Sequence, residues 1–419
     1  MRVCAGWLIP LLAVACGSDS IVRPRSAANR WLSVGAADRR ACGLTLDGRA
    51  WCWGVTTSDP STPVDGAPPL ASITVGAGLC PRGGPSSCPE ARAGHVCALD
   101  TQRLAWCWGR NDHGQLGDGT TRARNRPAKV TGSIRYRSIH SGNAFTCAVS
   151  VDSIAYCWGY NGRGNLGVGV ADPLSHPVPR AIARGVAVLA TGSDHACGVD
   201  ADGSAFCWGD DFRARLGSDA AVAKGGSGAP VPVNGVHRFM AVSAGVAHTC
   251  GLTPAGLVFC WGSNAEGELG SDPLPSYWRD PAAAVIPPLV SLSAGTAEHT
   301  CGITSSGRAW CWGSDADGQL GSGRFASSCR GIDCPATYSP VKTRARFRSL
   351  TTGRDFTCGV TLADQLLCWG RLPSTPDHPR QTPVPVAIRL APAPSPDRVR
   401  TSTHRIHFRD SVTAPGNQQ

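Results

Sequence analysis

The chain has 419 residues, of which 51 are Gly and 32 Pro, with charged residues at only 17% and a formal net charge of +10. Gly and Pro recur too often for long helices, and no uncharged apolar run approaches the ~20 residues of a membrane-spanning helix. With 42% hydrophobic residues, 13 Trp and 20 Cys, the composition is not that of a disordered polymer; it fits a turn-rich, all-β protein of many short strands.

Charge is a weak guide to partners. The 40 basic side chains include only three lysines, Lys129, Lys224 and Lys342, a ratio that points to a GC-rich genome more than to a phosphate-binding surface. The densest clusters run from Arg122 to Arg137 and from Lys342 to Arg348. Both lie at or just after connections between repeats and read as solvated surface, so nucleic acid is not the expected partner.

In chain order, the first feature is an export signal. Met1-Arg2 is a minimal positive segment, and the apolar stretch after it is too short to span a bilayer. Ala13-Val14-Ala15 then places small residues before Cys16. This resembles a bacterial lipoprotein signal, which implies removal of residues 1–15 and a lipid on Cys16. Ala13 stands where that family usually has Leu, so ordinary secretion with cleavage nearby stays open. Residues 16–30 are expected to form a tether. Twenty cysteines agree with export, because an oxidising compartment lets them pair.

The repeat follows. Cys-Trp-Gly occurs seven times, at Cys52, Cys107, Cys157, Cys207, Cys260, Cys311 and Cys368. Each has another cysteine ten positions earlier: Cys42, Cys97, Cys147, Cys197, Cys250, Cys301 and Cys358. Successive leading cysteines are 55, 50, 50, 53, 51 and 57 residues apart. In the sixth unit, Leu289 to Ala294 alternates apolar and small polar residues as a half-buried strand does. Residues 298–304 form the next strand, Ser306-Gly307 turns, and residues 308–312 return, with Gly permitting the positive φ of a short hairpin loop. The two cysteines then lie side by side on antiparallel strands, a separation compatible with a bridge. Residues 315–321 make a folded connection plugged by Leu320, and Pro340-Val341 opens the strand that begins the next unit.

Four short strands per unit make one sheet, which cannot bury both faces alone. Seven such sheets arranged radially make a β-propeller. Helical periodicity is absent, WD-type blades are shorter at ~40–45 residues, and kelch blades carry a different glycine pattern.

The unit Ala-Gly-x-x-His-x-Cys-Gly-Leu, then Gly-x-x-x-Cys-Trp-Gly, then Asn-x-x-Gly-Gln-Leu-Gly-x-Gly resembles the regulator of chromosome condensation repeat. Residues 108–119 are a near-complete match. The resemblance covers about residues 31–390. It implies a seven-bladed propeller closed by strands from both chain ends, with Pro383 to Val386 completing the blade that Trp31 to Gly54 begins. Units 1 and 7 depart from it, since neither has the Gly-Gln-Leu-Gly segment.

Among the cysteines, only Cys329 and Cys334 have the close spacing of zinc ligands, and no second such pair accompanies them. No metal or cofactor is expected, and each Cys-x9-Cys pair is read as a disulfide within its blade. The Trp of each Cys-Trp-Gly is read as core. His95, His195, His248 and His299 precede the leading cysteine by two residues, where other units have Arg40, Phe145 and Phe356. Such recurrence reads as packing or turn hydrogen bonding. No Ser-His-Asp pattern, phosphate-binding loop or isolated carboxylate pair stands out, so no catalytic residue and no enzyme activity is assigned.

Two insertions break the repeat. Residues 78–94 are placed between the second and third strands of the second unit and hold Cys80 and Cys88. Residues 325–337 are placed between units six and seven and hold Cys329 and Cys334. Each pair is expected to be a further disulfide, and both loops to project from one face of the disc. Pro81, Arg82, Arg92, Phe325, Arg330 and Asp333 are the candidate contact residues. Rigid loops on a rigid disc lose little entropy on binding. Residues 391–419 read as a flexible basic tail.

The expected function is a non-enzymatic, monomeric binding scaffold at the cell envelope, or secreted, that engages a protein or glycan through one propeller face. Membrane contact is through the lipid alone. Guanine-nucleotide exchange on a small GTPase is implied by the resemblance, but needs a cytosolic or nuclear location that the N-terminus and paired cysteines contradict. An envelope-polymer hydrolase or lyase needs clustered acid and base residues in the central channel. A secreted inhibitor of an enzyme such as a β-lactamase is the remaining alternative.

Overall fold

Each unit runs from the centre of the ring outward: its second strand is buried almost throughout, while its fourth is partly exposed. In blade 2 the inner strand Leu70–Val75 is followed by His95–Asp100, Ala105–Gly109 and the outer strand Arg124–Lys129. The second strand is wholly buried and the outer one largely exposed. The Asp100 carboxylate accepts from the backbone N–H of Gln102 and Leu104, at 2.8 and 2.9 Å, and so fixes the hairpin turn. The computed structural model describes residues 30–54, 63–78, 94–271, 275–323, 338–372 and 380–385. Cys16, both insertion cysteine pairs, the six candidate contact residues and the tail lie outside the described residues.

The architecture is the all-β, seven-bladed propeller expected. Six sheets have four antiparallel strands. The first has Trp31–Ala37, Arg40–Thr45 and Ala50–Gly54, with a single bridge from Trp51 to Pro63 where a fourth strand would start. Inner strands touch in cyclic order round the ring, and the core lies in the seams between blades. The only helical segments among the described residues are two short 3-10 turns, Phe212–Ala214 and Asp219–Lys224. Among the described residues no helix is long and apolar enough to cross a membrane. All seven Cys-x9-Cys pairs stand directly opposite each other on the second and third strands. Their Cα atoms are 4.1 Å apart and their sulfurs are bonded.

Ring closure differs from the expectation. Arg380–Pro385 pairs with Leu366–Gly370 inside blade 7, with Val384 opposite Cys368, and is not a strand of blade 1, although Val384 packs against the seam cluster that holds Trp31 and Trp53. The reason is phase: the chain enters blade 1 at its inner strand, so blade 1 has no strand to borrow. The seam closes instead as the internal seams do. Trp31, Ala36 and Trp53 pack against Phe356, Val360 and Leu372. The Trp31 N–H donates to the Asp364 carbonyl at 2.9 Å, and Arg30 Nε donates to the Asp364 carboxylate at 2.9 Å. Arg348 reaches the Trp31 and Leu32 carbonyls, the same clamp that Arg137 makes on Val186 and Ala187 between blades 3 and 4.

Two further positions shift. Tyr338–Pro340 is the outer strand of blade 6, not the start of blade 7, which begins with Phe347–Thr352. The insertions keep the flanking strands that the sequence assigned them, and only the blade phase changes. The first joins the inner and second strands of blade 2. The second joins the third and outer strands of blade 6.

Candidate functional site

Alternation of strand direction sets which connections share a face. Inner-to-second and third-to-outer connections emerge together; second-to-third turns and blade-to-blade connections emerge on the other side. Both insertions leave from strand ends on the first of these faces, at Val75 and His95 in blade 2 and at Gly313 and Tyr338 in blade 6. The same side carries the folded third-to-outer connections of blades 2 to 6.

Those connections are held by one repeated set of bonds. The side-chain oxygen of Asn111 accepts from the Leu116 N–H at 2.9 Å. Asn161, Asp211, Asn264 and Asp315 do the same for Leu166, Leu216, Leu269 and Leu320. Each of these leucines is buried in the seam with the following blade. The glycine after it has to be glycine. At Gly117 (φ +68°) a Cβ would lie 2.7 Å from Nε1 of Trp158 in the next blade.

The residue before the leucine supplies a carbonyl to the next blade's tryptophan. Trp158, Trp208, Trp261, Trp312 and Trp369 donate Nε1–H to the carbonyls of Gln115, Asn165, Arg215, Glu268 and Gln319, at 2.9–3.1 Å. The tryptophans are core, as expected from sequence.

The recurrent histidines bolt the same seams. His95, His195, His248 and His299 meet, through Nε2, the hydroxyls of Thr146, Thr249, Thr300 and Thr357 of the following blade at 2.7–2.9 Å. Thr146, Thr249 and Thr357 in turn donate to the carbonyls of Gln115, Arg215 and Gln319, each at 2.9 Å. A hydroxyl that donates to a carbonyl must accept from the imidazole, which assigns the neutral Nε2–H tautomer. Nδ1 of all four rings is buried and meets no hydrogen-bond partner among the described residues. Burial holds the His95 and His299 pKa down at about 3 and that of His248 at about 4, and holds His195 well below the usual range.

Sequence reasoning found the histidines and missed their partners. The signal was there, one position before each leading cysteine. Where a blade carries His, the next carries Thr; where blades 3 and 7 carry Phe145 and Phe356, blades 4 and 1 carry Ala196 and Ala41, packed in the same clusters. Thr357→Ala alone should therefore cost about 1–3 kcal/mol, because it strands a buried imidazole N–H. The pair His299→Phe with Thr357→Ala, which copies the blade 3–4 seam, should recover at least half of that. A urea double-mutant cycle reads the coupling, and strictly additive losses would contradict the pairing rule.

At the centre, the inner strands enclose a cavity of about 360 Å³. Each blade contributes an aliphatic side chain, such as Ile73, Ile139 and Leu189, with small hydroxyls between them. His140 is the one titratable side chain in the lining, and burial lowers its pKa to about 4. Among the described residues, no group of three His, Cys, Asp or Glu side chains is placed to hold a metal ion.

Comparison with known proteins places the repeat. Two models of the Regulator of chromosome condensation (RCC1) repeat match, one over residues 104–149 and one over 186–213, 241–268 and 289–319. The RCC1 domain-containing protein RUG3, mitochondrial, of Arabidopsis thaliana is 30% identical over 141 residues, 32% of this chain and 31% of that protein. The Ultraviolet-B receptor UVR8 of the same plant is 26% identical over 146 residues, 34% of this chain and 31% of that protein. The chain thus spans about a third of the length of these relatives. Yeast RCC1 (Prp20), solved bound to Kap60, superposes with a TM-score of 0.65 at 19% identity, over 80% of this chain and 83% of that one. Human WBSCR16 superposes with a TM-score of 0.64 at 17% identity, over 80% and 87%. At these identities the structural likeness is one of fold.

Proposed function

We propose that this ring of RCC1 repeats is a non-enzymatic binding scaffold that engages a protein partner through the face from which both insertions depart. The observation that carries the reading is strand parity. Connections of unequal position in the chain, in blades 2 and 6, leave from the same side of a ring whose seams are fixed by buried bonds. Through the closing seam these blades are three steps apart, so one partner can span both loops. The loops keep their candidate contact residues Pro81, Arg82, Arg92, Phe325, Arg330 and Asp333, stapled by Cys80–Cys88 and Cys329–Cys334. A stapled loop is already ordered and loses little entropy when it docks.

The reading includes export, with Cys16 as the lipid-bearing residue and the cell envelope as the location. Seven bonded cysteine pairs are compatible with an oxidising compartment. Guanine-nucleotide exchange is the weaker alternative, because the likeness to yeast RCC1 is one of fold at 19% identity.

Affinity capture from envelope extracts with the oxidised ring, compared with a ring lacking residues 79–93 and 326–336, tests the face. The deletion variant should melt within a few degrees of the parent and lose the captured protein. Retention of every captured protein would place the binding surface elsewhere. Cys16→Ser should move the protein from the membrane fraction to the soluble one.

A further inference from the structure

The two basic clusters of the sequence differ in what their cations surround. In the first, Arg124 pairs with Asp118 at 2.9 Å and Arg137 is committed to carbonyls of the next blade, while Arg122, Arg126, Lys129 and Arg135 are spread along an outer strand and its flanks. In the second, Arg348 is committed to Asp364 and to the closing seam. Lys342, Arg344 and Arg346 remain, joined by Arg308 from the neighbouring hairpin turn. None of these four has a carboxylate within 4.0 Å among the described residues.

The four cations line a cavity of about 830 Å³ at the rim between blades 6 and 7. That is the size of a small-molecule site, which typically measures about 300–1,000 Å³. Its wall is a fixed piece of backbone. Thr343 Oγ1 accepts from the Ala345 N–H at 3.1 Å, Phe347 N–H donates to the Gly307 carbonyl at 2.8 Å, and Leu362 N–H donates to the Arg346 carbonyl at 2.8 Å. Two of the cationic stems lie across glycines. A Cβ on Gly307 would stand 3.1 Å from Arg346 Cβ, and one on Gly323 would stand 2.6 Å from Lys342 Cδ. The charged ends are thus presented by stems with a surface to rest on.

The fold does not require these charges. The same connection is defined in other blades by one hydrogen bond, from Val130, Val233, Ala284 or Val341 to the carbonyl that starts the third strand. After Val130 it runs Thr-Gly-Ser-Ile-Arg, after Val233 Asn-Gly-Val-His-Arg, and after Ala284 Val-Ile-Pro-Pro-Leu. Only after Val341 does it read Lys-Thr-Arg-Ala-Arg. Like charges gathered in a concavity repel one another unless something of opposite sign enters. Guanidinium forks match the oxygens of a phosphate in a way a lone ammonium does not.

We propose that this pocket binds the clustered phosphate groups of a soluble oligophosphate ligand, with Arg308, Lys342, Arg344 and Arg346 as its cations. Its cations come from a hairpin turn and a blade-to-blade connection, while Ser322 and Gly323 of the connection that carries the second insertion complete the wall; charge substitutions at the cations leave the insertions intact, so this proposal can fail separately from the protein-binding reading.

Isothermal titration of the oxidised full chain with inorganic tripolyphosphate tests it. A saturable one-site isotherm that weakens with added salt is expected. Arg344→Glu with Arg346→Glu should weaken binding at least tenfold. Arg122→Glu with Arg126→Glu makes the same change in net charge on the other cluster and should stay within twofold of the parent. Should the first variant misfold, Arg308→Gln with Lys342→Gln replaces it and should also weaken binding. Absence of a saturable isotherm in the parent, or equal losses in both clusters, overturns the proposal. Vesicles containing phosphatidylglycerol form the second arm. Their capture through these residues without tripolyphosphate binding makes the ligand a lipid surface and likewise overturns it.

Discussion

Acidification from pH 7 to pH 4.5 should lower the stability of the ring by about 5 kcal/mol or more, through the histidines that bolt its seams. An unfolded histidine titrates near 6.5, whereas burial holds His95 and His299 at about 3 and His248 at about 4. Between those values the unfolded chain binds protons that the folded chain refuses. Stability is therefore complete above about pH 6.5 and falls as the pH drops. Each of these three contributes a loss of about 2–3 kcal/mol by pH 4.5, and His195 and the central His140 act in the same direction. Glu268 opposes them. Burial raises its pKa to about 7, so the folded state holds a proton that the unfolded state releases, and acidification returns about 2–3 kcal/mol. The net sign follows from geometry as well: a second proton would sit on Nδ1, which faces no acceptor in any of the four rings. Urea midpoints measured across this range give the slope directly. A flat profile from pH 7 to pH 5 would mean that the rings are charged or solvated in the folded state.

The repeat made most of this molecule legible. Cysteines ten residues apart placed both central strands of every blade, and Leu320 and its counterparts marked the seams, because these positions are buried and chemically constrained. Outer strands were illegible for the opposite reason. Tyr338–Pro340 is three residues long with two exposed, and Arg124–Lys129 reads Arg-Asn-Arg-Pro-Ala-Lys, so neither shows the alternation of a half-buried strand. The sequence marked the first of these only by Pro340-Val341 and gave it to the following unit, which put the second insertion between blades instead of inside blade 6. The prolines of Arg380–Pro385 invited a closing role for a strand that serves its own blade. The threonines opposite the histidines were hidden by distance: His299 and Thr357 are 58 positions apart, and only the ring brings them together.

Mild reduction under native conditions should open Cys42–Cys52 first and leave the other six blade bridges closed. Thiol–disulfide exchange requires the attacking thiolate to reach a sulfur. Thirteen of the fourteen half-cystines are 0–1% exposed, and Cys52 is the one left half-buried. The cause lies in blade 1. Elsewhere an outer strand covers the third-strand cysteine, as Ala128 does opposite Cys107 and Val231 opposite Cys207. In blade 1 the described cover is the single bridge from Trp51 to Pro63. The other six bridges become reachable only when their blades come apart, and there the energetics turn. Each bridge joins residues ten apart, worth about 2.8 kcal/mol in the chain-entropy model, so seven amount to roughly 19 kcal/mol. That exceeds the ~5–15 kcal/mol net stability of ordinary domains, and the fully reduced chain should fail to refold. Timed alkylation with peptide mass spectrometry should find, among the seven blade pairs, Cys42 and Cys52 alone labelled without denaturant, and all seven pairs labelled in concentrated urea. Uniform labelling of the seven pairs without denaturant would show that the seams open far more readily than their buried bonds allow. A reduced chain that regained the native melting temperature would place the ring's stability in its tryptophan and histidine seams, not in its sulfur.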